Sequence, residues 1–376
     1  MENEKKFAAV AAKPENKNWD MLIKREGALY TREGDVRSEF ERDYTRILHC
    51  LAFRRLKHKT QVYMNVDDDH VCTRMEHVMH VESVSHTLAA RLGLNTELTK
   101  AISIGHDLGH APFGHHGEEI LRKLSNKCLS EDFWHEKNGL HFVEDVELLE
   151  DDYKVKRNLN LTYAVRDGII SHCGEKDENG LRPRDAIIDL KNFVNKGQYQ
   201  SATWEGCIVK ISDKIAYLGR DIEDAIRLGI ISSKEIEILE EMTKTNDKDA
   251  INTTVIIHNM INDICDNSSL ETGIRLSDQI FEQMNTIKKF NTDYIYLNKK
   301  FDTFRNYTEL IINEIFNVLL DAYKGEKTFV SLSERKKLYR GELIEEFAKW
   351  LACYCSFENE NSCIDDNIIK KYNNKK

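Results

Sequence analysis

The stretch SIGHDLGHAPFGHHGEE spans Ser103–Glu119 and contains four of the 14 histidines in the chain. His106 and His110 lie four residues apart, and Asp107 directly follows His106. A solvated helix face does not need this chemistry, and a packed apolar core resists it. The stretch therefore indicates a metal site, a proton-transfer site or a chance cluster, and the rest of the chain must distinguish them.

Helical signals lie on the N-terminal side of this stretch. The spacing of apolar residues predicts a helix over Thr73–Gly93 that ends on Gly93 as its C-cap. Asn95 or Thr96 can cap the next helix, which carries the His-Asp pair. That helix should break near Gly109, because Pro112 cannot continue it. The pair is thus predicted to lie at a helix end.

Helical periodicity recurs along most of the chain. Further helices are predicted over 39–57, from 117 onward, and over 140–149, 161–173, 204–228, 233–290, 301–323 and 340–356. A β-like run at 61–66, a turn at 67–70 and a polar loop at 174–183 interrupt them. Only 3 prolines and 18 glycines occur among 376 residues, so helix breakers are scarce. We predict an all-α fold.

The composition describes a globular protein, with 41% hydrophobic and 31% charged residues. A net charge of −10 argues against sequence-independent binding of nucleic acid, which depends on many phosphate contacts. A small anionic substrate stays compatible, because a few basic groups and a metal ion can reverse the local field. Residues 1–20 and 370–376 are polar, and we expect both segments to be frayed.

The cysteines and the lengths of the apolar runs indicate the cellular location. The nine cysteines include no CxxC pair, which argues against a zinc knuckle and for reduced thiols. The first 17 residues contain too short an apolar run for a secretory signal. No segment approaches the roughly 20 apolar residues that span a bilayer. We therefore expect a cytoplasmic protein without a membrane partner.

The His106-Asp107 pair offers an imidazole and a carboxylate, the donors of hydrolytic metal sites. Adjacent helix positions point about 100° apart, so both reach one ion only near a helix end. His77 is a candidate for a further ligand, and His80 lies one turn further on. In an isolated pair of this kind, one histidine is more often a surface residue than a ligand.

A polar stripe on the helix over 204–228 is the third candidate. Asp213, Tyr217, Arg220 and Asp221 follow steps of four, three and one residues, opposite a row of isoleucines, and Lys214 borders them. Taken alone, such a stripe is typical of a solvated helix face with ordinary ion pairs. It gains meaning only together with the histidines.

The order His77, His106-Asp107, Asp213 resembles the H…HD…D pattern of HD-domain metal-dependent phosphohydrolases. A closer resemblance is to the deoxyguanosine triphosphate triphosphohydrolase (dGTPase-like dNTPase) family. The segments that carry it are FRRLKHKTQV (53–62), TRMEH (73–77), HDLGHAPFGHHGE (106–118), SHCGE (171–175), SDKIAYLGRDIED (212–224) and the stretch 290–323. It covers most of residues 38–325.

The resemblance implies a helical phosphohydrolase core over 38–235, after a polar segment over 1–37 and before C-terminal helices over 236–376. It also implies hydrolysis of a deoxynucleoside triphosphate (dNTP), dGTP in particular, to deoxynucleoside and inorganic triphosphate. The cofactor would be a divalent metal ion: Mn²⁺, Mg²⁺ or another transition metal. A homo-oligomer is implied as well. A nucleotide effector and single-stranded DNA stay open as partners, and nothing in the sequence supports the DNA.

The resemblance assigns the site residues by position. The implied metal ligands are His77, His106, Asp107 and Asp213. The implied catalytic residues are His110, His115 and Glu118, with His135 as a looser match. The implied substrate-binding residues are Gln61, Arg74, Lys214, Tyr217 and Asp221. The remaining histidines in or near these motifs, His86, His116, His141 and His172, we assign to structural or surface roles.

The chemistry of the reaction suits these residue types. Water attacks the α-phosphorus, so negative charge must be neutralised by the ion, by Arg74 and by Lys214. The departing 5′-oxygen needs a proton, which we assign to His115 oriented by Glu118. His110 would contact the phosphates or assist.

The same pattern leaves two alternatives. One is another HD phosphohydrolase, such as a nucleotidase or an alarmone or cyclic-nucleotide phosphodiesterase. The other is a nucleotide-sensing protein with an idle site. The product of the reaction, if there is one, distinguishes all three.

Overall fold

The computed structural model of the chain describes residues 5–29, 33–64, 68–151, 153–173, 179–243, 252–338 and 342–354. These residues form fifteen α-helices and one two-stranded sheet. The helices are α1 (Trp19–Leu22), α2 (Glu39–His49), α3 (Leu51–Arg55), α4 (Arg74–Leu92), α5 (Thr96–Gly105), α6 (Gly114–Leu129), α7 (His135–His141), α8 (Tyr163–Ser171), α9 (Trp204–Arg227), α10 (Ser233–Thr243), α11 (Thr253–Asn267), α12 (Asp278–Phe290), α13 (Asp302–Ala322), α14 (Thr328–Leu338) and α15 (Leu343–Ala352). The prediction of an all-α fold is confirmed.

Short elements complete the architecture. The strands β1 (Leu148–Glu150) and β2 (Lys156–Asn158) pair antiparallel. π-Helical turns follow α7 at Phe142–Val146 and α12 at Asn291–Tyr296. The 3₁₀ turns are Ala8–Val10, Leu56–His58, Leu190–Asn192 and Lys299–Phe301. No helix within the described ranges is both long enough and apolar enough to cross a membrane.

Helix α4 has both of its ends fixed by local chemistry. The Thr73 hydroxyl accepts a hydrogen bond from the Glu76 backbone, and the Glu76 carboxylate accepts one from the Thr73 backbone. At the other end, Gly93 has φ of 87°. A Cβ atom at Gly93 would lie 2.4 Å from the Cβ of Lys5, so only glycine fits. The predicted bounds of this helix are confirmed.

Helix α5 delivers the His-Asp pair to the interior. The Asn95 side chain accepts from the backbone of Glu97 and Leu98, as the sequence predicted. The helix ends at Gly105, and His106 is its C-cap. The pair therefore lies at a helix end.

The loop after the pair is fastened to helix α7. The Asn138 side chain donates to the Gly109 carbonyl at 2.7 Å. A Cβ atom at Gly109 would lie 2.0 Å from the Gly139 nitrogen, so the two backbones meet where no side chain fits. This contact sets the position of the loop relative to His135, the first residue of α7.

Helix α9 is buried along most of its length. Ile208, Ile215, Leu218 and Ile222 are fully inaccessible and belong to the same apolar cluster as the inner face of α4. Burial of four such side chains is worth roughly 1.5–3 kcal/mol each. Most of the polar stripe on the other side of α9, namely Asp213, Lys214, Tyr217 and Asp221, is thereby held against a cavity.

The N-terminal segment packs against the core, so the prediction of fraying is wrong for the described residues 5–20. Phe7 is fully buried, and its ring meets Trp204 edge-on at 4.9 Å. The Glu205 carboxylate accepts from the backbone nitrogen of Ala12 and from that of Asn95. The tail over 370–376 lies outside the described residues. Division into domains at residues 37 and 235 stays a prediction.

Two local predictions are wrong for physical reasons. The helix expected over 140–149 continues from α7 only as a π-helical turn to Val146, and strand β1 replaces its end. A hairpin forms there because Asp151 accepts from the Val155 backbone and turns the chain. The β-like run over 61–66 forms no strand in its described part, Gln61–Met64, and its last two residues lie outside the described ranges. There Tyr63 is buried, and its hydroxyl donates to the Asp221 carbonyl.

Candidate active site

A cavity of about 720 Å³ lies between α4, α6, α9, α12 and α13. This is within the range of small-molecule sites. Ten of the residues predicted for the site line it: Gln61, Arg74, His77, Asp107, His110, His115, Asp213, Lys214, Tyr217 and Asp221. The other two, His106 and Glu118, are almost fully buried in groups that reach the cavity wall. The structure thus brings all the predicted residues to one place.

Three of the four predicted metal ligands converge at this wall. The His77 Nε2 lies 3.0 Å from the Asp213 Oδ1, and the His106 Nε2 lies 3.8 Å from the same oxygen. One ligand atom from each of the three residues lies within 4.8 Å of the others. The donors come from α4, the end of α5 and α9, so the chain packing creates the group.

The His106 ring is prepared as a ligand. Its Nδ1 lies 2.6 Å from the Ser103 carbonyl oxygen, which can only accept, so Nδ1 carries the proton. Its Nε2 is buried and has no hydrogen-bond partner among the described residues. A buried nitrogen lone pair without a partner, facing a carboxylate, is what a divalent cation would bind. The residues present therefore fit a metal ion.

Asp107 differs from the four-ligand prediction. Its Oδ2 accepts from the Arg74 guanidinium at 2.8 Å, and both side chains are buried. Burial alone would raise the pKa of Asp107, but Arg74 and the neighbouring histidines outweigh it and hold that pKa well below its ordinary value. Asp107 lines the same cavity as an ionised group, and its role as fourth ligand stays a prediction.

A second cluster contains three imidazoles and a carboxylate. His110, His115, Glu118 and His135 each place one donor atom within 4.8 Å of the others. The rings of His110 and His135 stack at 4.6 Å, and those of His110 and His115 meet at 5.1 Å. The Glu118 Oε2 lies 2.7 Å from the His135 Nδ1. Glu118 thus pairs with His135, where the sequence led us to expect His115.

This pairing decides which imidazole holds a proton. Burial favours the neutral ring, but Glu136 and Glu118 outweigh it and raise the pKa of His135. The protein around His115 and the nearby Arg74 lower the pKa of His115 to about 4, although its ring is open to solvent in the cavity. The pKa of His110 is lowered well below its ordinary value by burial and by Arg74. Of the three imidazoles, His135 therefore holds a proton most readily.

Beyond Asp213, the polar stripe of α9 lines a further part of the cavity. Lys214, Tyr217 and Asp221 line it in that order along the helix. The Asp221 Oδ2 accepts from the Tyr296 hydroxyl at 2.5 Å. Burial raises the pKa of Asp221 to about 7, so this carboxyl is partly protonated near neutral pH.

Gln61 closes another side of the cavity. Its backbone carbonyl accepts a long hydrogen bond of 3.4 Å from Arg74, and its Oε1 is buried without a hydrogen-bond partner among the described residues. A buried amide oxygen without a partner is ready to accept from a ligand.

Several residues of the site were not found from the sequence. His172, which we assigned to a structural or surface role, lines the cavity with its ring 5.0 Å from that of His106. Its place in the SHCGE motif is the sequence signal that could have assigned it to the site. Tyr296 and Lys196 line the cavity as well. Tyr296 lies in the stretch 290–323 that carries the resemblance, whereas no motif pointed to Lys196. His135, only loosely matched in the sequence, lies at the centre of the second cluster.

The remaining histidines in or near the motifs fall into two groups. His116 lines the cavity and bonds the Arg305 carbonyl at 3.1 Å. His80, His86 and His141 do not line it, and His141 instead pairs with Asp145 at 2.8 Å. A structural or surface role is therefore consistent with the position of His86 and His141.

Comparison with known proteins gives a consistent family. The HD-domain family model matches residues 74–218, which include all four predicted ligands. The chain is 36% identical over 301 residues to the "Deoxyguanosinetriphosphate triphosphohydrolase-like protein" of Caldanaerobacter subterraneus subsp. tengcongensis, covering 80% of this chain and 78% of that protein. Proteins of the same name from Clostridium tetani and Desulfatibacillum aliphaticivorans are 33% and 37% identical over 313 and 269 residues. These alignments cover 82% and 69% of this chain, and 81% and 67% of the relatives.

The family model includes α4, α6 and most of α9, which line the cavity, and the alignment with the Caldanaerobacter protein covers 80% of this chain at 36% identity. The chain is therefore a member of the deoxyguanosinetriphosphate triphosphohydrolase-like family of HD-domain proteins.

Proposed function

We propose that this protein is a metal-dependent dNTP triphosphohydrolase. It would convert a dNTP, dGTP most readily, to the deoxynucleoside and inorganic triphosphate by attack of water on the α-phosphorus. The observation that carries this proposal is the convergence of His77, His106 and Asp213, with the partnerless His106 Nε2, on a cavity of nucleotide size. The names of the relatives support the substrate class.

The metal would be held by His77, His106 and Asp213, with Asp107 as the fourth ligand after it exchanges Arg74 for the ion. A divalent ion bound there lowers the pKa of the attacking water and polarises a phosphoryl oxygen. Mn²⁺ and Mg²⁺ suit the carboxylates, and the two imidazoles favour a transition metal.

Arg74 and Lys214 supply positive charge for the triphosphate. Arg74 is buried, lines the cavity and pairs with Asp107. Exchange of that partner for the ion would free the guanidinium for the phosphates. The planar guanidinium can bond two phosphate oxygens at once, whereas the Lys214 ammonium acts as a point charge. These cations make an acidic protein locally attractive to a polyanion.

The departing 5′-oxygen needs a proton, and His115 is the imidazole of the second cluster that is open to the cavity solvent. Burial lowers its pKa to about 4, together with Arg74 and His135, which repel a further positive charge. A bound triphosphate adds negative charge and raises that pKa, so substrate binding would itself prepare the acid. His135 and Glu118 hold the proton that resupplies His115, and His110 lies between the two rings.

The far part of the stripe would receive the sugar. Tyr217 can lie under the deoxyribose ring and crowd a 2′-hydroxyl. Asp221, fixed by Tyr296, can accept from the 3′-hydroxyl. Both residues line the same side of the cavity as Asp213.

The decisive experiment identifies the product. The purified protein is incubated with each dNTP and with Mn²⁺, Mg²⁺ or Co²⁺, and the products are resolved by anion exchange. Inorganic triphosphate is expected, and it should be absent with His106→Ala and Asp213→Ala. His141→Ala, which alters a histidine outside the cavity, is the matched control and should retain turnover.

Other products have a clear meaning. Monophosphate or pyrophosphate would place the chain with the nucleotidases or phosphodiesterases and refute the proposal, and no turnover with any metal would indicate an idle sensor. A homo-oligomer, a nucleotide effector, binding of single-stranded DNA and a cytoplasmic location stay predictions. Size-exclusion chromatography with and without dGTP tests the first two.

A further inference from the structure

A third group of metal-ligating side chains lies beside the proposed active site. His135, Glu136, His172 and Cys173 each place one donor atom within 4.8 Å of the others. Three of the four line the cavity, and Glu136 is buried behind them. Apart from His135, the reaction described above uses none of them.

Glu136 is the unusual member of this group. It is 1% exposed, and neither carboxylate oxygen meets a hydrogen-bond partner among the described residues. Its nearest charged neighbours are the His135 Nδ1 at 3.4 Å and the Lys196 Nζ at 3.7 Å, and the Cys173 thiol lies against it. A buried carboxylate costs several kcal/mol unless a cation or good hydrogen bonds compensate it. Two long contacts leave that compensation incomplete.

The His172 ring is oriented as a ligand, like that of His106. Its Nδ1 lies 2.7 Å from the Ile169 carbonyl oxygen and therefore carries the proton, which leaves the Nε2 lone pair available. The ring lies 5.5 Å from that of His135. The group thus offers two imidazoles, one carboxylate and one thiol from the ends of two helices.

We propose that His135, Glu136, His172 and Cys173 form a second divalent-cation site, selective for Zn²⁺ or Co²⁺ over Mg²⁺. The thiol decides the selectivity, because thiolate is a ligand for soft and borderline ions. On binding, the Cys173 S–H bond breaks, the proton passes to solvent and a sulfur–metal bond forms. The cation displaces the Lys196 ammonium from its position beside the Glu136 carboxylate.

The geometry requires only a small contraction. A tetrahedral Zn²⁺ with bonds of about 2.0–2.3 Å holds its ligand atoms roughly 3.3–3.8 Å apart. The four donor atoms now lie within 4.8 Å of one another, so they must approach by up to about an ångström. The second site shares no residue with the group of His77, His106 and Asp213, although the rings of His106 and His172 touch. The two sites can therefore be emptied separately.

The second site also bears on the proton of His135. A nitrogen that binds a metal is no longer protonated. The His135 Nδ1 lies 2.7 Å from Glu118 and 3.4 Å from Glu136, so a metal bound at that nitrogen would replace the proton it shares with Glu118.

The test titrates the full-length, metal-free protein with Co²⁺ and records the near-ultraviolet thiolate-to-cobalt charge-transfer band. Bound Zn²⁺ is counted separately after gel filtration. The wild-type protein should show the band and bind one ion more than Cys173→Ser, which should lack the band. Asp213→Ala should lose an ion and keep the band. Cys128→Ser changes an exposed thiol on α6 and should match the wild type.

Absence of the band in the wild type, or its persistence in Cys173→Ser, would overturn the proposal. Circular dichroism checks that each variant folds. If Cys173→Ser does not fold, His172→Gln and Glu136→Gln must weaken the band, and an unchanged band in either overturns the proposal as well. The readout does not depend on turnover, so it is independent of the proposed reaction.

Discussion

Asp221→Asn should make the protein more stable, and by an amount that depends on pH. Burial raises the pKa of Asp221 from its ordinary value of 3.8 to about 7. In the unfolded chain the carboxyl ionises near its ordinary pKa, so between these two values the folded protein binds the extra proton. The contribution of Asp221 to the free energy of unfolding therefore falls as pH rises from 4 to 7. Each unit of difference between the folded and unfolded pKa is worth about 1.4 kcal/mol. Ionised Asp221 therefore lowers the free energy of unfolding by about 4 kcal/mol above pH 7.

The same relation gives a cost of roughly 1.7 kcal/mol at pH 5 and about 4 kcal/mol at pH 8. The gain in free energy of unfolding from Asp221→Asn should therefore be about 2.5 kcal/mol larger at pH 8 than at pH 5. Urea titrations of metal-free wild type and variant at both pH values measure it. Asp293→Asn, at an exposed aspartate, is the matched control and should show no such difference. Equal gains at both pH values would show that Asp221 ionises normally in the folded protein and would refute the reasoning.

Three further outcomes follow from the site and its supports. Mn²⁺ at about 100 times its dissociation constant should raise the free energy of unfolding by about 2.7 kcal/mol, and Asp213→Ala should abolish this gain in a thermal-shift assay. Glu118→Gln removes a carboxylate that raises the pKa of His135, so the alkaline limb of the kcat/KM profile should move to lower pH; an unmoved limb would separate His135 from the proton supply. Gly109→Ala would force a Cβ against the Gly139 backbone and should cost more than about 3 kcal/mol, whereas retention of the wild-type melting temperature would contradict the described packing.

Local chemistry explains which parts of the fold were predictable. The caps at Thr73, Gly93 and Asn95 act within four residues, so a linear pattern contains all the information they need. The same holds for the break after the His-Asp pair. The hairpin after α7 was missed because apolar residues at helical spacing also suit a strand pair, and the turn residue Asp151 decides between them.

Within the site, the predictable part was the set of residues attached to motifs. His77, His106 and Asp213 meet because the start of α4, the end of α5 and the middle of α9 pack together, and only the family resemblance could foresee that. Pairings inside the cavity were not accessible. Arg74 with Asp107, and Glu118 with His135, are choices among several oppositely charged neighbours that depend on distances of about an ångström.

The N-terminal segment shows the limit of composition as a guide. Its polar character suggested fraying, yet Phe7 is enclosed by Trp204, and Glu205 holds the backbone of Ala12. An aromatic ring and a buried carboxylate are among the groups that hold this polar segment. Neither is visible as a periodic signal.

Helix α9 has a consequence for how the protein would measure its substrate. Asp213 and Asp221 are eight residues apart on one continuous helix, which places them about 12 Å apart along its axis. In the proposed reaction, this helix would fix the distance from the cation at the α-phosphorus to the sugar end of the cavity. It would place no constraint on the phosphates on the other side of the cation. Selection among mono-, di- and triphosphates would therefore come from the basic side chains around the phosphate end, and the two kinds of selectivity could change independently.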